Sequence, residues 1–281
     1  MKLISSPILI QQITDAISTH YDASEARAIA FRCLDLGWNL SSMDIILKKE
    51  GELPGDWPTR LARLASGEPL QYVMGKTYFR DHLFEVNSET LIPRPETEEL
   101  VELVLEKASE NASVLDVGTG SGCIPISLKL ERPSLVVEAW DISTAALGMA
   151  RQNANALQAE VEFKQQDIFD WSSSEGTWEV IVSNPPYVTE EEKKEMAIHV
   201  LDYEPHLALF VPNDDALKYY EALADFALER LRTAGYLCLE INQYFGTQTV
   251  ELLFSKGFQE VKLLKDFKGN DRMIVAQKSG L

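Results

Sequence analysis

The chain has 281 residues, of which 45% are hydrophobic and 25% are charged, which is the composition of an ordinary globular protein and not of a disordered chain. It carries 26 Lys and Arg against 44 Asp and Glu, and the formal net charge of −18 argues against a partner held mainly through nucleic-acid phosphates. Apolar runs all fall short of the roughly 18 residues of a membrane span, and the broken apolar N-terminus and three widely spaced cysteines favour a cytoplasmic protein without disulfides.

Helical periodicity dominates the first part of the chain, residues 1–75. Capping residues and glycines mark the predicted ends of three helices. These helices run from Asp22 to Gly37, from Ser41 or Ser42 to Gly51, and from Pro58 to Gly67. The pattern predicts a small N-terminal helical bundle as a separate domain.

Short β-like runs around Arg80 and Asp81 then predict a hairpin, and a turn bracketed by prolines leads into an amphipathic helix. We expect residues 76–95 to form this hairpin and a linker. After residue 112, apolar strands alternate with helices, which predicts a mostly parallel α/β sheet covered on both faces in a domain over 96–281.

A glycine-rich segment, VLDVGTGSGC, follows the first strand of that sheet. The strand ends in Asp116, and Gly118, Gly120 and Gly122 allow a sharp turn into a helix whose first amides are unpaired. The spacing differs from the GxGxxG dinucleotide pattern, and the GK[ST] of a phosphate-binding loop is missing. The segment fits a ligand site, and it also fits a tight turn with no ligand.

Two further acidic residues end the next strands. Asp141 lies one strand-helix-strand unit beyond Asp116, where a carboxylate can accept both hydroxyls of a ribose. Asp167 ends the third strand and is within reach of a purine edge in the same arrangement. A purely structural role in closing the turns is the alternative.

The tetrapeptide NPPY follows the fourth strand, as Asn184, Pro185, Pro186 and Tyr187. The two prolines have no amide hydrogen, so the backbone presents carbonyl acceptors without competing donors. Asn184 adds a side-chain acceptor, and Tyr187 adds a flat face. This set suits a planar NH2 group, whose two hydrogens need two acceptors. A rigid turn is again the alternative.

Together, DVGTGSG, Asp141 and NPPY resemble the class I S-adenosylmethionine-dependent methyltransferases that act on amide or amino nitrogen. Five further segments are similar to the release-factor glutamine methyltransferases (the PrmC/HemK family): PLQYVMG, LIPRPETEELV, YEPHLAL, LCLEI and DRMIVA. The resemblance implies a Rossmann-like, seven-stranded, mostly parallel sheet with a small N-terminal helical bundle for substrate docking and a connecting β-hairpin. It departs from the family pattern at Pro125 and within residues 212–217 and 240–246.

The resemblance also implies an activity, which is methyl transfer from S-adenosyl-L-methionine to the glutamine amide nitrogen in the GGQ motif of peptide chain release factors. S-adenosyl-L-homocysteine is then the product. Asn184, Pro185 and Tyr187 are the implied catalytic residues. The implied cofactor-binding residues are Asp116, Gly118, Thr119, Gly120, Ser121, Gly122, Asp141, Asp167, Ile168 and Asn184. The implied substrate-binding residues are Asn184, Pro185, Pro186, Tyr187, Arg94 and Glu204, although Glu204 equally fits a structural turn at Pro205.

Other acceptors and partners follow from the same residues. Relatives with NPPY also methylate glutamine of a ribosomal protein, and the exocyclic amine of adenine has the geometry that NPPY fits. A catalytically idle cofactor-binding protein is a third alternative. The four histidines lack ligand spacing, so we expect no metal. Release factors are the expected partners of a monomer that binds neither membrane nor nucleic acid.

Overall fold

The structure is a computed structural model that describes residues 3–172 and 174–280. Within these residues, no helix combines the length and the apolar character needed to cross a bilayer.

Internal contacts divide the chain into two compact units. The helical unit comprises residues 3–77, Val86–Ser88 and Met196–Tyr203. The sheet unit comprises Tyr78–Glu85, Glu89–Glu195 and residues 204–280.

The helices and strands follow each other in a fixed order along the described residues. The first are β1 (Leu3–Ser5), α1 (Ser6–Ile17), α2 (Ala23–Trp38), α3 (Ser42–Ile46), β2 (Glu50–Glu52), α4 (Trp57–Ala65), α5 (Leu70–Met74), β3 (Lys76–Phe79), β4 (His82–Glu85) and α6 (Pro95–Lys107). The next are β5 (Ser113–Val117), α7 (Cys123–Glu131), β6 (Val136–Asp141), α8 (Thr144–Leu157), β7 (Glu162–Gln165), β8 (Trp178–Ser183), β9 (Val188–Thr189) and α9 (Ile198–Tyr203). The last are β10 (Phe210–Val211), α10 (Lys218–Arg230), β11 (Leu231–Glu240), α11 (Gly246–Lys256), β12 (Gln259–Lys265) and β13 (Asp271–Gln277).

Helix α2 of the helical unit starts as its sequence predicts and ends slightly later. The Asp22 carboxylate accepts two amides of the first turn at 2.8 and 2.9 Å. The helix ends at Trp38 rather than at Gly37, and Asn39 takes the left-handed conformation with φ 53°. Gly37 serves packing instead, because a Cβ there would lie 2.5 Å from the methyl carbon of Met74.

The helix predicted from Ser41 or Ser42 to Gly51 is shorter in the structure. Ser41 caps α3, which ends at Ile46. The chain then turns back, and Gly51 pairs with Ile4 in an antiparallel ribbon of β1 and β2. Helix α3 can end at Ile46 because the β1–β2 pairing gives residues 50–52 backbone hydrogen bonds in place of those of a longer helix.

The predicted hairpin is confirmed in β3 and β4. Arg80 and Asp81 at its tip have φ values of 45° and 61°. Two successive positive φ values are what a two-residue type I′ turn requires, and this turn matches the twist of the strands.

Seven strands of the described residues form the main sheet, in the order β12-β13-β11-β8-β5-β6-β7. The pairs from β11 to β7 are parallel, and β13 runs antiparallel to β11 and β12. The seven-stranded, mostly parallel sheet predicted from the sequence is therefore confirmed.

Helices cover both faces of the sheet, which buries two apolar clusters. One cluster joins the sheet to α6, α7 and α8 through residues such as Leu100, Ile124 and Ala154. The other joins it to α10 and α11 through residues such as Phe226 and Leu253.

The sheet order reverses at its centre and so creates the crevice for a site. From β5 the chain moves outward to β6 and β7, and it then returns to the other side of β5 with β8. The loops that leave β5 and β8 therefore diverge at their carboxyl ends, which is where open α/β sheets bind ligands.

Candidate active site

The glycine loop, residues 118–122, runs from β5 to the first turn of α7. Gly118, Gly120 and Gly122 have φ values of 79°, 55° and 81°, a region that disfavours residues with a Cβ. The Gly118 amide donates to the Trp140 carbonyl at 2.9 Å and holds the loop against β6.

The three glycines have different surroundings. Among the described residues, a Cβ on Gly118 or Gly120 would meet no atom within 4 Å. A Cβ on Gly122 would lie 2.9 Å from Cδ1 of Ile126 and 3.1 Å from Cβ of Ala150. The first two glycines thus leave room for a ligand beside the backbone, and Gly122 lets α7 approach α8.

Buried polar atoms without partners lie at the root of this loop. Asp116 is 0% exposed. Neither of its carboxylate oxygens, nor the hydroxyls of Thr119 and Ser121, has a hydrogen-bond partner among the described residues. Burial raises the pKa of Asp116 to about 7; the Thr119 hydroxyl, which is near but outside hydrogen-bond geometry, opposes that shift, and the charge of Asp141 adds to it. Buried polar atoms are normally paired, so this cluster has the capacity to bind a polar ligand.

Asp141, at the end of β6, already holds two backbone amides. Its Oδ2 accepts from Gly120 at 2.8 Å, and its Oδ1 accepts from Ser143 at 2.9 Å. Burial raises its pKa, and the two amides oppose that shift. Each oxygen keeps a further lone pair, so the carboxylate can still accept hydroxyl groups from the cavity.

Asp167 lies beyond β7 beside an aromatic surface. Its Oδ1 accepts the amide of Phe169 at 2.9 Å, and Ile168 between them is buried. The rings of Phe169 and Tyr219 are 5.1 Å apart, and Lys218 Nζ lies 4.9 Å from the centre of the Phe169 ring. A carboxylate next to flat rings suits a flat, hydrogen-bonding group such as a purine.

The NPPY segment leaves β8 on the other side of β5. Asn184 Nδ2 lies 3.1 Å from Oγ1 of Thr97, and Pro185 is buried. The Tyr187 hydroxyl donates to Oε1 of Glu240 at 3.0 Å. Burial, and next the charge of Glu240, raise the pKa of Tyr187 well above its ordinary value, so this hydroxyl keeps its proton.

Glu240 is a functional candidate that sequence reasoning missed. It is 1% exposed, and its Oε2 accepts the hydroxyl of Thr97 at 2.7 Å. Burial raises its pKa, and the hydrogen bonds from Thr97 and Tyr187 oppose that shift. Leu239 pairs with Ser183, which places Glu240 beside the start of NPPY. The available signal was an acid at the end of the apolar run LCLE, since a buried acid needs partners.

Arg94 and Glu204, two predicted substrate residues, bind each other. Arg94 Nη2 lies 2.7 Å from Oε1 of Glu204, and the amide of Ile92 donates to Oε2 at 3.3 Å. The Glu204 side chain is 1% exposed and that of Arg94 is 33% exposed. Glu204 therefore anchors the segment before α6, and Arg94 keeps access to the cavity.

A cavity of about 480 Å³ joins these features. The predicted residues that line it are Gly118, Thr119, Gly120, Ser121, Asp141, Asp167, Ile168, Asn184, Pro185, Pro186 and Arg94. Four predicted residues of the described chain are absent from its lining, namely Asp116, Gly122, Tyr187 and Glu204. Lining residues that the sequence did not single out include Thr90, Leu91, Thr97, Phe169, Leu207 and Tyr219.

No group of three or more His, Cys, Asp and Glu with metal-binding geometry exists in the part of the chain that the structure describes. Cys123, next to the glycine loop, is a buried free thiol whose pKa burial raises to about 12. A thiol in this state is a packing group and not a nucleophile at neutral pH.

Known proteins match both the sequence and the fold. The family model "Methyltransferase small domain" matches residues 96–204. A release factor glutamine methyltransferase of Bacteroides thetaiotaomicron is 40% identical over 272 residues, which cover 95% of this chain and 98% of that relative. One of Flavobacterium psychrophilum is 41% identical over 272 residues, which cover 94% and 95%. The crystal structure of a methyltransferase from Pyrococcus furiosus superposes with a TM-score of 0.52 at 18% identity, over 70% of this chain and 88% of that chain, which supports the fold alone.

Proposed function

The chain belongs to the release factor glutamine methyltransferases, and we propose that it transfers a methyl group from S-adenosyl-L-methionine to the side-chain amide nitrogen of the glutamine in the GGQ motif of peptide chain release factors. The observation that carries this proposal is one cavity lined both by the open glycine loop and by Asn184 and Pro185. Such a cavity brings a donor site and two hydrogen-bond acceptors for an NH2 group within reach of each other.

Residues at the carboxyl ends of β5, β6 and β7 fit the methyl donor. Thr119 and Ser121 line the cavity and have unpaired buried hydroxyls for its amino-acid end, and Asp116 lies at the root of the same loop. The glycine loop leaves space for the donor. Asp141 has lone pairs for the ribose hydroxyls, and the surface at Asp167 suits the adenine. When bound, the donor supplies a methyl group that its sulfonium has already activated.

Asn184 and Pro185 act on the acceptor. A glutamine amide nitrogen is a poor nucleophile because its lone pair is delocalised into the carbonyl. The side-chain oxygen of Asn184 and the carbonyl oxygen of Pro185 accept its two hydrogens, and Pro186, which also lines the cavity, bounds the plane of the amide. The two acceptors orient the nitrogen and stabilise the positive charge that develops on it. The proton can leave to water after transfer, so this role needs no general base.

The charge of the chain favours a protein acceptor over a nucleic acid. A net charge of −18 disfavours binding along a phosphate backbone, which an adenine methyltransferase requires. In this proposal the helical unit docks the release factor.

The test is mass spectrometry of release factors incubated with the protein and isotopically methyl-labelled donor. We expect one labelled methyl on the glutamine of the GGQ motif. A release factor in which alanine replaces that glutamine is the matched control and should stay unlabelled.

A ribosomal protein and an adenine-containing oligonucleotide are tested in parallel as acceptors. If one of these two is labelled and the release factors are not, the labelled molecule is the acceptor and the proposed one is rejected. A protein that binds the donor and labels none of the three would be the idle binder.

A further inference from the structure

A chain of hydrogen bonds links Asn184 to the buried residues Thr97 and Glu240, and the proposed transfer does not by itself require it. Asn184 Nδ2 lies 3.1 Å from Oγ1 of Thr97, whose hydroxyl lies 2.7 Å from Oε2 of Glu240. The other oxygen of Glu240 accepts from Tyr187. Thr97 is 2% exposed and Glu240 is 1% exposed, so water competes little for these atoms.

Counting donors fixes the direction of this chain. In its ionised form Glu240 only accepts hydrogen bonds, as it does from Tyr187, so the single hydroxyl hydrogen of Thr97 then goes to Glu240. The oxygen of Thr97 can then only accept, and the group of Asn184 that faces it has to be the NH2. A side-chain amide is assigned by such partners, because its oxygen and nitrogen are otherwise alike. The Asn184 oxygen is left for the cavity that this residue lines.

We propose that Thr97 and Glu240 are positioning residues that set the orientation of the Asn184 side-chain amide, so that its oxygen and not its NH2 faces the acceptor nitrogen. The inference rests on the proposed function, since an acceptor with an NH2 group gives the orientation its importance. With the amide reversed, two NH2 groups would face each other and no hydrogen bond would form.

The protonation state of Glu240 decides the direction of the chain. A protonated Glu240 donates to Thr97, Thr97 donates to the Asn184 oxygen, and the amide turns over. The groups that face Glu240 from the packed elements are Glu96 on α6, Cys123 on α7, Tyr187 after β8, Tyr220 on α10 and Arg272 on β13. Turnover therefore falls as the pH drops through the pKa of Glu240.

Valine at position 97 gives the first test. Thr97→Val keeps the shape of the side chain and removes the hydroxyl, so the Asn184 amide loses its orientation. We expect kcat to fall about tenfold or more with the donor Kd within about twofold of wild type, because the lost interaction acts on the transition state. Thr97→Ser restores the hydroxyl and should recover most of the rate.

Thr249→Val is the matched control. Thr249 is also a buried helical threonine, and its hydroxyl donates to the Phe245 carbonyl in α11 at 2.8 Å, away from the cavity. It should lose stability without losing kcat. Equal kcat in Thr97→Val and wild type would overturn the inference, and so would an equal loss of kcat in Thr249→Val.

A pH profile tests Glu240 separately. Glu240→Gln preserves the volume and removes the titrating carboxyl, so the fall of kcat on the acid side should disappear. The same acid fall in both proteins would overturn the role given to Glu240.

A readout without substrate separates this inference from the proposed function. In protein labelled with 15N in asparagine side chains, the NH2 signal of Asn184 is identified by its loss in Asn184→Ala. Its hydrogens should exchange slowly with water in wild type and Thr97→Ser and faster in Thr97→Val. Equal exchange in all three would mean that the NH2 does not face Thr97. If this exchange pattern is found but the protein methylates no release factor, the orientation of the Asn184 amide is upheld and only the proposed acceptor is rejected.

Discussion

The Gly120 amide donates a hydrogen bond of 2.8 Å to Oδ2 of Asp141. This bond ties the glycine loop after β5 to the end of the neighbouring strand β6. Asp141 therefore shapes the loop that lines the cavity, in addition to offering its own lone pairs there.

Replacing Asp141 tests both roles. Asp141→Ala should raise the Kd of S-adenosyl-L-methionine about tenfold or more, which corresponds to about 1.4 kcal/mol. Asp141→Asn keeps one acceptor oxygen, so its Kd for the donor should lie between those of wild type and Asp141→Ala. Isothermal titration measures the Kd values, and an unchanged value in Asp141→Ala would contradict the assignment.

Alanine at Gly120 and at Gly122 should act differently. Both positions have positive φ, so each substitution strains the backbone by about 1 kcal/mol or more. Gly122→Ala also forces its Cβ to 2.9 Å from Ile126, and it should lower the melting temperature more. Gly120→Ala places its methyl in the open space of the cavity and should weaken donor binding more. Thermal unfolding and titration of both variants compare them directly, and equal effects on both measurements would contradict this division.

Asp116 should make stability depend on pH. Its pKa is raised from 3.8 in the unfolded chain to about 7 in the fold, so its protonated form stabilises the native state. That contribution is fully present below pH 3.8 and is lost as the pH rises to about 7. Its full size is roughly 4 kcal/mol at one pKa unit per 1.36 kcal/mol.

Asp116→Asn stays neutral and should therefore gain stability over wild type as the pH rises from about 4 to 8. Urea unfolding of both proteins at each pH, without donor, measures the difference. Groups that do not interact with Asp116 titrate alike in both proteins, so their contributions to the difference cancel. A difference in stability that does not change with pH would exclude the raised pKa of Asp116.

Asn184→Ala should separate binding from transfer. The variant keeps the glycine loop and Asp141, so the donor Kd should change little. The rate of methyl transfer should fall about a hundredfold, since one of the two acceptors for the amide hydrogens is missing. Single-turnover assays with release factor measure this, and turnover near the wild-type rate would show that Asn184 has another role.

Local sequence patterns predicted where several candidate site residues lie in the fold. The alternation of strands and helices predicted the parallel sheet, and loops at the carboxyl ends of neighbouring strands meet in any such sheet. The sequence therefore predicted that Asn184, Asp141 and the glycine loop follow strands that end at the same edge of the sheet. Helix ends were less predictable, because the two glycines expected to end helices have other roles that depend on distant residues. Gly37 packs against Met74, and Gly51 pairs with Ile4 in the β1–β2 ribbon.

The sequence by itself determined the chemistry, because glycines that permit positive φ, prolines without amide hydrogens and acids at strand ends have these properties in any surroundings. Only the tertiary structure decided which of these groups already have partners. Thr97 is 87 positions from Asn184 and 143 positions from Glu240, and Glu204 is 110 positions from Arg94. Such pairs depend on strand register and helix packing. Only the folded chain therefore reveals that Glu204 binds Arg94 and the Ile92 amide, and that Thr97 links Glu240 to Asn184.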